Sequence, residues 1–408
     1  MTADAAPGVG PEPAGPPTRL LTPAFAALFV ASFAFFIAGG TVLPVATRYA
    51  KGPLGADGLG VGISIGVFAI AALALRPFVG WASDRYGRRP MLLVGGAITV
   101  LALAGHLAAT SLPAFVAVRA LLGVGEAFFF VALVAAVADL APPARRGEAI
   151  NVGSLSVYLG LALGPFVGET VLSAAGFATV WIVAAGLAVA ATVASAVVPE
   201  TAPAVLAARA AGNRRPPSGR TRLIHPAGLF PGFLVLTGAW GMAGFLAFVP
   251  LATDEAGMDG AGLPLAAYAI LVCVLRIAFA SLPDRMGAAR LSGAALGVSA
   301  VGLAIIGVAP GFVGLMVGTL VFAGGIAFMF PALVSLAVSR VDEAERGSVV
   351  GTTSVFLDLG FGLAPAVLGG VIDLAGLGAA FLAGSAVAAL GCGLIVVRHA
   401  ALRSEPAG

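Results

Sequence analysis

Polar residues are sparse along this chain, and the stretches between them set its elements. Apolar residues run for about 20 positions at a time, with neither the period-two alternation of a half-exposed strand nor the polar face of a surface helix. Twelve such runs can be drawn, at 20–46, 59–80, 91–110, 113–138, 148–171, 177–198, 227–251, 262–282, 291–309, 311–338, 348–372 and 377–397. Each is long enough to cross roughly 30 Å of hydrocarbon as a helix. Unbroken runs, in place of alternating ten-residue segments, exclude an outer-membrane barrel. The predicted fold class is an all-α membrane protein with twelve transmembrane helices.

The longest polar connection, PETAPAVLAARAAGNRRPPSGRTRLIHP at 199–226, splits the runs six and six. Five domains or segments follow: a disordered tail at 1–19, a six-helix half at 20–198, a cytoplasmic linker at 199–226, a second half at 227–397 and a tail at 398–408. Residues 1–19 lack the basic start and short apolar core of a signal peptide, so the first helix is expected to be retained. The halves repeat at an offset of 200. FAIAALALR (68–76) matches YAILVCVLR (268–276), Asp-Arg-x-Gly stands at 84–87 and 284–287, and Leu159-Gly160, Leu163, Pro165 and Val167 recur at 359, 360, 363, 365 and 367. Parallel repeats of six helices predict a pseudo-twofold axis along the membrane normal and a central cavity between the halves.

Composition sharpens this picture. The chain is 60% hydrophobic and 10% charged, against about 25% charged in soluble domains. Its mean hydropathy is +1.05, which no soluble core could absorb. Its 57 Gly and 27 Pro suit membrane helices, where small residues allow close packing and bent helices are tolerated. The net charge of +3 is a topology signal rather than a nucleic-acid footprint. Arg85, Arg88, Arg89, Arg145, Arg146, Arg214, Arg215, Arg285 and Arg290 all fall in even-to-odd connections, while the opposite side keeps Arg48 and Lys51. A multi-pass protein of the cell membrane with both termini cytoplasmic is expected.

Between the second and third runs stands Gly80-x-x-x-Asp84-Arg85-x-Gly87-Arg88-Arg89. Gly80 lets a helix approach a neighbour closely, Gly87 permits a tight turn, and Asp84 can pair with an arginine or cap a helix of the other half. These residues, with Asp284 and Arg285 of the second copy, are the candidate cytoplasmic gate. Ala288 and Ala289 replace the double arginine there, so the gate is expected to be asymmetric. With the twelve runs and the repeat, this loop resembles the signature of the major facilitator superfamily, and the resemblance covers nearly the whole chain. The fifth run carries Gly153, Gly160, Gly164, Pro165 and Gly168, similar to the helix-5 signature of the superfamily's twelve-helix drug and metabolite antiporters, with Glu169 where the final Gly is usual. The glycines also present one small-residue face, and Pro165 bends the helix.

The fourth run contains Arg119-x3-Gly123-x-Gly125-Glu126, which resembles the superfamily's helix-4 motif associated with proton coupling. Charges inside a membrane need compensation, and Arg119 and Glu126, two turns apart, share a face without being placed to pair. Asp358, where the first repeat has Tyr158, is the other mid-membrane acid. Arg119, Glu126 and Asp358 are the candidate proton-coupling residues. The first run holds no acid, so a helix-1 partner for Arg119, expected in some relatives, is missing. The resemblance implies that helices 1, 4, 7 and 10 line the cavity, which offers Phe33, Phe36, Phe129, Phe130, Trp240, Phe245 and Phe330, with Asn151 as the intramembrane amide. Such walls suit an amphipathic or lipophilic small molecule.

Lys51, the only lysine, lacks a phosphate-loop context, so ATP hydrolysis is not the expected energy source. Cys273 and Cys392 are isolated, and His106, His225 and His399 lack ligand spacing, so neither cofactor nor metal is expected. No selectivity element marks a channel, and no convergent nucleophile, base or metal set marks an enzyme. The expected function is secondary transport by alternating access, with proton-coupled export of a drug or metabolite ahead of proton-coupled or facilitated uptake. The expected partners are the substrate, protons and the bilayer, with no nucleic acid, and the chain is expected to work as a monomer.

Overall fold

A computed structural model describes residues 21–142, 145–202, 205–207, 224–279, 282–338, 341 and 346–404. It is helical throughout, with no strand among the described residues. In chain order the helices are α1 (Pro23–Lys51), α2 (Gly58–Tyr86), α3 (Arg88–Gly105) and α4 (Leu112–Leu140). The run Arg146–Val197 then folds back at Gly176, giving α5 (146–175) and α6 (177–197). The second half contains α7 (Pro226–Glu255), α8 (Gly262–Ala278), a one-turn helix at Leu282–Met286, α9 (Ala288–Val308), α10 (Phe312–Val338), α11 (Arg346–Ala375) and α12 (Leu377–Ser404).

Among the described residues, ten helices are long and apolar enough to cross a bilayer; one of these, Val152–Val197, is the folded-back pair, and Gly262–Ala278 is a shorter apolar helix. Twelve crossings result. The helices overrun the apolar runs because hydropathy marks the hydrocarbon, whereas a helix continues until its backbone is stopped. α1 begins at a proline with Thr22 Oγ1 accepting from the Phe25 N–H at 3.2 Å, and α2 begins with Asp57 accepting from Gly60 N–H at 2.7 Å, both satisfying amides that the first turn leaves open. α2 stops at Gly87, whose φ of 110° only glycine adopts readily. Gly287 occupies the same place in the second half, and the breaks at Gly176 and Gly376 also match, all four at positive φ. α12 extends through residue 404, into the predicted tail at 398–408. The predicted tail at 1–19 and most of the linker at 199–226 lie outside the described residues.

Lipid offers little hydrophobic drive for helix association, so close packing of small residues sets the contacts. α1 lies on α5, where a Cβ at Gly164 would stand 2.6 Å from Gly40 Cα and one at Gly160 would stand 2.7 Å from Phe36 Cβ; Gly168 abuts Thr41 in the same way. α3 lies on α4 through Thr99 against Gly125, and α9 on α10 through Ser299 against Gly325, the same contact 200 residues on. Across the two halves, α2 meets α11 at Gly58 against Gly369, Gly62 against Pro365 and Ala366, and Gly66 against Gly362. α5 and α8 form the pseudo-symmetric contact.

Candidate functional site

Arg76 of α2 lies where α2, α4 and α11 meet. Its Nη1 donates to Asp358 Oδ2 on α11, and its Nη2 stands 3.7 Å from Glu126 Oε1 on α4. The three side chains are 23, 11 and 13% exposed, respectively. Phe130, one turn beyond Glu126 and on its face, covers the guanidinium at 5.4 Å, and Phe36 meets Phe130 edge-on at 6.0 Å. One cation thus faces two carboxylates in a low-dielectric setting, where the surplus negative charge is poorly screened. Glu126 Oε2 is buried with no hydrogen-bond partner. Chemically, the cluster can hold a proton on either acid and let Arg76 favour the other.

The sequence reading selected both acids and missed the arginine that joins them. The available signal was the repeat, since Arg76 recurs as Arg276 and a charge preserved in two apolar runs needs a partner in each. Around Arg276 the mirror positions differ. Its Nε donates to the Ala327 carbonyl at 2.9 Å and its guanidinium lies 4.6 Å from the centre of the Tyr158 ring. Tyr158 stands where Asp358 stands in the other copy, and Ile326 stands where Glu126 does. Both acids therefore lie on one side of the pseudo-twofold axis.

Arg119 is 4% exposed and does not share this cluster. Its Nε donates to the Ser64 carbonyl at 3.0 Å and its guanidinium lies 5.5 Å from the centre of the Phe68 ring. It thus braces α4 against α2 two turns from Glu126, through a planar fork rather than a point charge. Arg119→Lys is expected to cut the transport rate about tenfold at unchanged expression, because an ammonium cannot hold that geometry. A wild-type initial rate in proteoliposomes would reduce Arg119 to a structural charge.

The two ends of the bundle differ. At the Arg48 end, Arg48 Nη2 donates to Asp254 Oδ1 at 2.8 Å and its Nη1 stands 3.4 Å from Glu169 Oε2. Thr47 Oγ1 donates to the Ala247 carbonyl at 2.8 Å, 200 residues along the repeat. Asp373 accepts from the Gly58 and Leu59 N–H groups at 2.6 and 2.8 Å, so α11 caps α2 across the halves. Glu169, the departure from the helix-5 glycine pattern, belongs to this seal.

At the Asp84 end, the loop is braced within its own half. Asp84 accepts from Arg88 Nη1 at 2.6 Å, Arg88 Nε also donates to Asp139 at 3.2 Å, and Arg89 Nη2 donates to the Ala196 carbonyl at 2.7 Å. The Arg88 N–H donates to Glu200 at 2.8 Å, and a Cβ at Gly87 would run into that carboxylate. Arg85 packs over Trp81 and Tyr86. The Asp84 side chain is 71% exposed, Phe78, Trp81 and Tyr86 are exposed, and a Cβ at Gly80 would meet nothing within 4 Å. Arg285 is exposed in the second copy. Of the two expected uses of Asp84, the arginine pair is present, and among the described residues no cap on the other half is seen.

The expected cavity residues also separate. Phe33, Trp240 and Phe330 are partly exposed. Phe129 and Phe245 are fully buried: Phe129 stacks on Phe35 at 3.9 Å, and Phe245 packs between Tyr268 and Phe322 at 5.3 and 5.0 Å, beside a small internal void walled by Gly241, Gly244 and Leu368. Phe129 is turned about 100° from Phe130 around α4, which an all-apolar helix does not reveal. The side chains of Asn151 and Asp284 lie outside the described residues.

A family model for the Major Facilitator Superfamily matches residues 25–365, and again 259–407. The chain belongs to the Major Facilitator Superfamily. Among relatives of this major facilitator, an uncharacterized MFS-type transporter of Salmonella typhimurium is 28% identical over 386 residues, covering 92% of this chain and 95% of the relative. Multidrug resistance protein 2 of Bacillus subtilis is 25% identical over 373 residues, covering 90% and 92%. The crystal structure of the nucleoside transporter NupG (D323A mutant) superposes with a TM-score of 0.75 at 16% identity, covering 92% of this chain and 99% of that one, a likeness of fold alone. This major facilitator is a membrane-spanning transporter of a small molecule, and not an enzyme.

Proposed function

We propose that this chain exports a small amphipathic or lipophilic compound in exchange for protons. The observation that carries the reading is Arg76 shared between Glu126 of its own half and Asp358 of the other. A proton on Glu126 leaves Arg76 to Asp358 and ties α2 to α11 across the mid-membrane seam. A proton on Asp358 leaves Arg76 to Glu126, and the tie is released. Protonation is thereby linked to the relative position of the halves, which is what coupled alternating access needs. The helix-5 glycines and a multidrug resistance protein among the relatives favour export.

The arginine distribution supports a cytoplasmic Asp84 end. The present arrangement, joined across the halves at Arg48 and without a cross-half contact of Asp84 among the described residues, then reads as inward-facing and awaiting substrate. Closure would bring Gly80 and Asp84 against the second half, and the Arg48, Glu169 and Asp254 cluster would part.

The test uses proteoliposomes loaded with a fluorescent amphipathic compound and an imposed pH difference. Antiport drives the compound toward the acidic side, because protons leave that side. Accumulation on the alkaline side would mean proton symport and uptake, and indifference to the pH difference would overturn coupling altogether.

A further inference from the structure

Arg276 is a membrane-embedded cation that the proposed cycle leaves unused and that, unlike the 4% exposed Arg119, is not buried. It is partly exposed on α8 and forms no ion pair among the described residues, in contrast to Arg76, its mirror image, which meets two acids. Its Nε is spent on the Ala327 carbonyl, and its flat face rests near Tyr158, itself 39% exposed. An arginine at membrane depth with no counter-charge is costly to keep. Its guanidinium edge offers further N–H donors in the fork that matches a carboxylate, sulfonate or phosphate. The surroundings are apolar: Leu155 and Leu161, one turn either side of Tyr158, are exposed, and Ile326 fills the place of Glu126.

We propose that Arg276, steadied by Tyr158, binds the anionic group of an amphipathic organic substrate whose apolar body lies along the neighbouring α5 and α10 side chains. The repeat then has two uses for one arginine. Arg76, with its resident acids, handles the proton, and Arg276 receives its counter-charge from the cargo. This inference rests on the transporter reading and not on proton coupling.

The test is equilibrium binding on the purified full chain at one fixed pH, in neutral detergent freed of anionic lipid. The probes are naphthalene compounds bearing a carboxylate, its methyl ester or a trimethylammonium group, with aryl sulfonates and phosphate monoesters beside them. Thermal stabilisation is titrated for each. At least one anion is expected to bind about tenfold or more tightly than its neutral counterpart, as a charge-assisted hydrogen bond implies. Arg276→Gln is expected to erase that preference, with Arg276→Lys in between. Equal binding of anion and ester by the unmodified protein, which requires no variant to fold, would overturn the proposal. So would an anion preference that survives in Arg276→Gln, or stabilisation by anionic phospholipid alone. Because no pH difference is applied, failure here leaves the coupling assay standing, and failure of that assay leaves this one standing.

Discussion

Glu126→Gln should still exchange substrate down its own gradient and lose pH-driven accumulation entirely. Gln keeps the size of the side chain and removes its titration. Of the two acids, Glu126 is the better proton carrier, since it stands 3.7 Å from Arg76 and has a buried oxygen with no partner, whereas Asp358 holds the arginine directly. A permanently neutral residue at 126 removes the competitor for Arg76, so the hold of Arg76 on Asp358 no longer responds to pH; the halves can still part, but the proton gradient no longer biases when they do. Counterflow of labelled substrate should persist within about threefold, while the accumulation ratio under an imposed pH difference falls to one. If the variant still accumulates substrate, coupling moves to Asp358, for which Asp358→Asn is the matching measurement. Uphill transport in both variants would remove proton antiport as the mechanism.

Two single-methyl substitutions on α2 should have opposite signatures. At Gly62 an added Cβ would overlap the Pro365 carbonyl and stand 2.7 Å from Ala366 Cα. Both are helix backbone and cannot swing aside. Overpacking of this kind costs about 1–3 kcal/mol, roughly a five- to 150-fold shift against the sealed arrangement. Gly62→Ala is expected to lower the thermal midpoint in detergent and reduce transport by at least about fivefold. At Gly80 the same methyl meets open space, and Ala is the better helix former by roughly 0.5–1 kcal/mol. Gly80→Ala should therefore leave the midpoint unchanged or slightly raised and still slow transport, because the methyl is met only when that end closes. Wild-type transport by Gly80→Ala would remove the gate role of this glycine, and an unchanged midpoint for Gly62→Ala would contradict the tight α2–α11 seam.

The fold was legible because hydrocarbon tolerates so few sequences: long apolar runs, arginines on one side and a 200-residue repeat leave little freedom. Helix ends were less legible, since α2 outruns its apolar stretch to stop at Gly87, and α5 and α6 are parted by little more than Gly176. Glu126 and Asp358 stood out as acids in apolar surroundings. Their meeting on Arg76 did not, because it depends on which face α2 turns to α11, and that is set by small-residue contacts such as Gly66 against Gly362 rather than by any local pattern. The same limit hid the burial of Phe129 and Phe245 in this conformation. In a helix that is apolar all round, lipid, cavity and core faces look alike.

The one-sided placement of the acids bears on energetics as well as on chemistry. On the proposed reading, a single guanidinium passing between two carboxylates handles one proton per cycle, and Ile326 and Tyr158 deny the mirror site a second. With the membrane potential clamped at zero, a one-for-one exchange can sustain at most about a tenfold concentration ratio per pH unit, since each pH unit is worth about 1.4 kcal/mol. A chain with acids at both mirror positions could move two protons and square that ratio, at twice the proton traffic for each molecule expelled. On that reading the stoichiometry, and with it the steepest gradient such an exchange can hold, is set by which of two related positions carries a carboxylate.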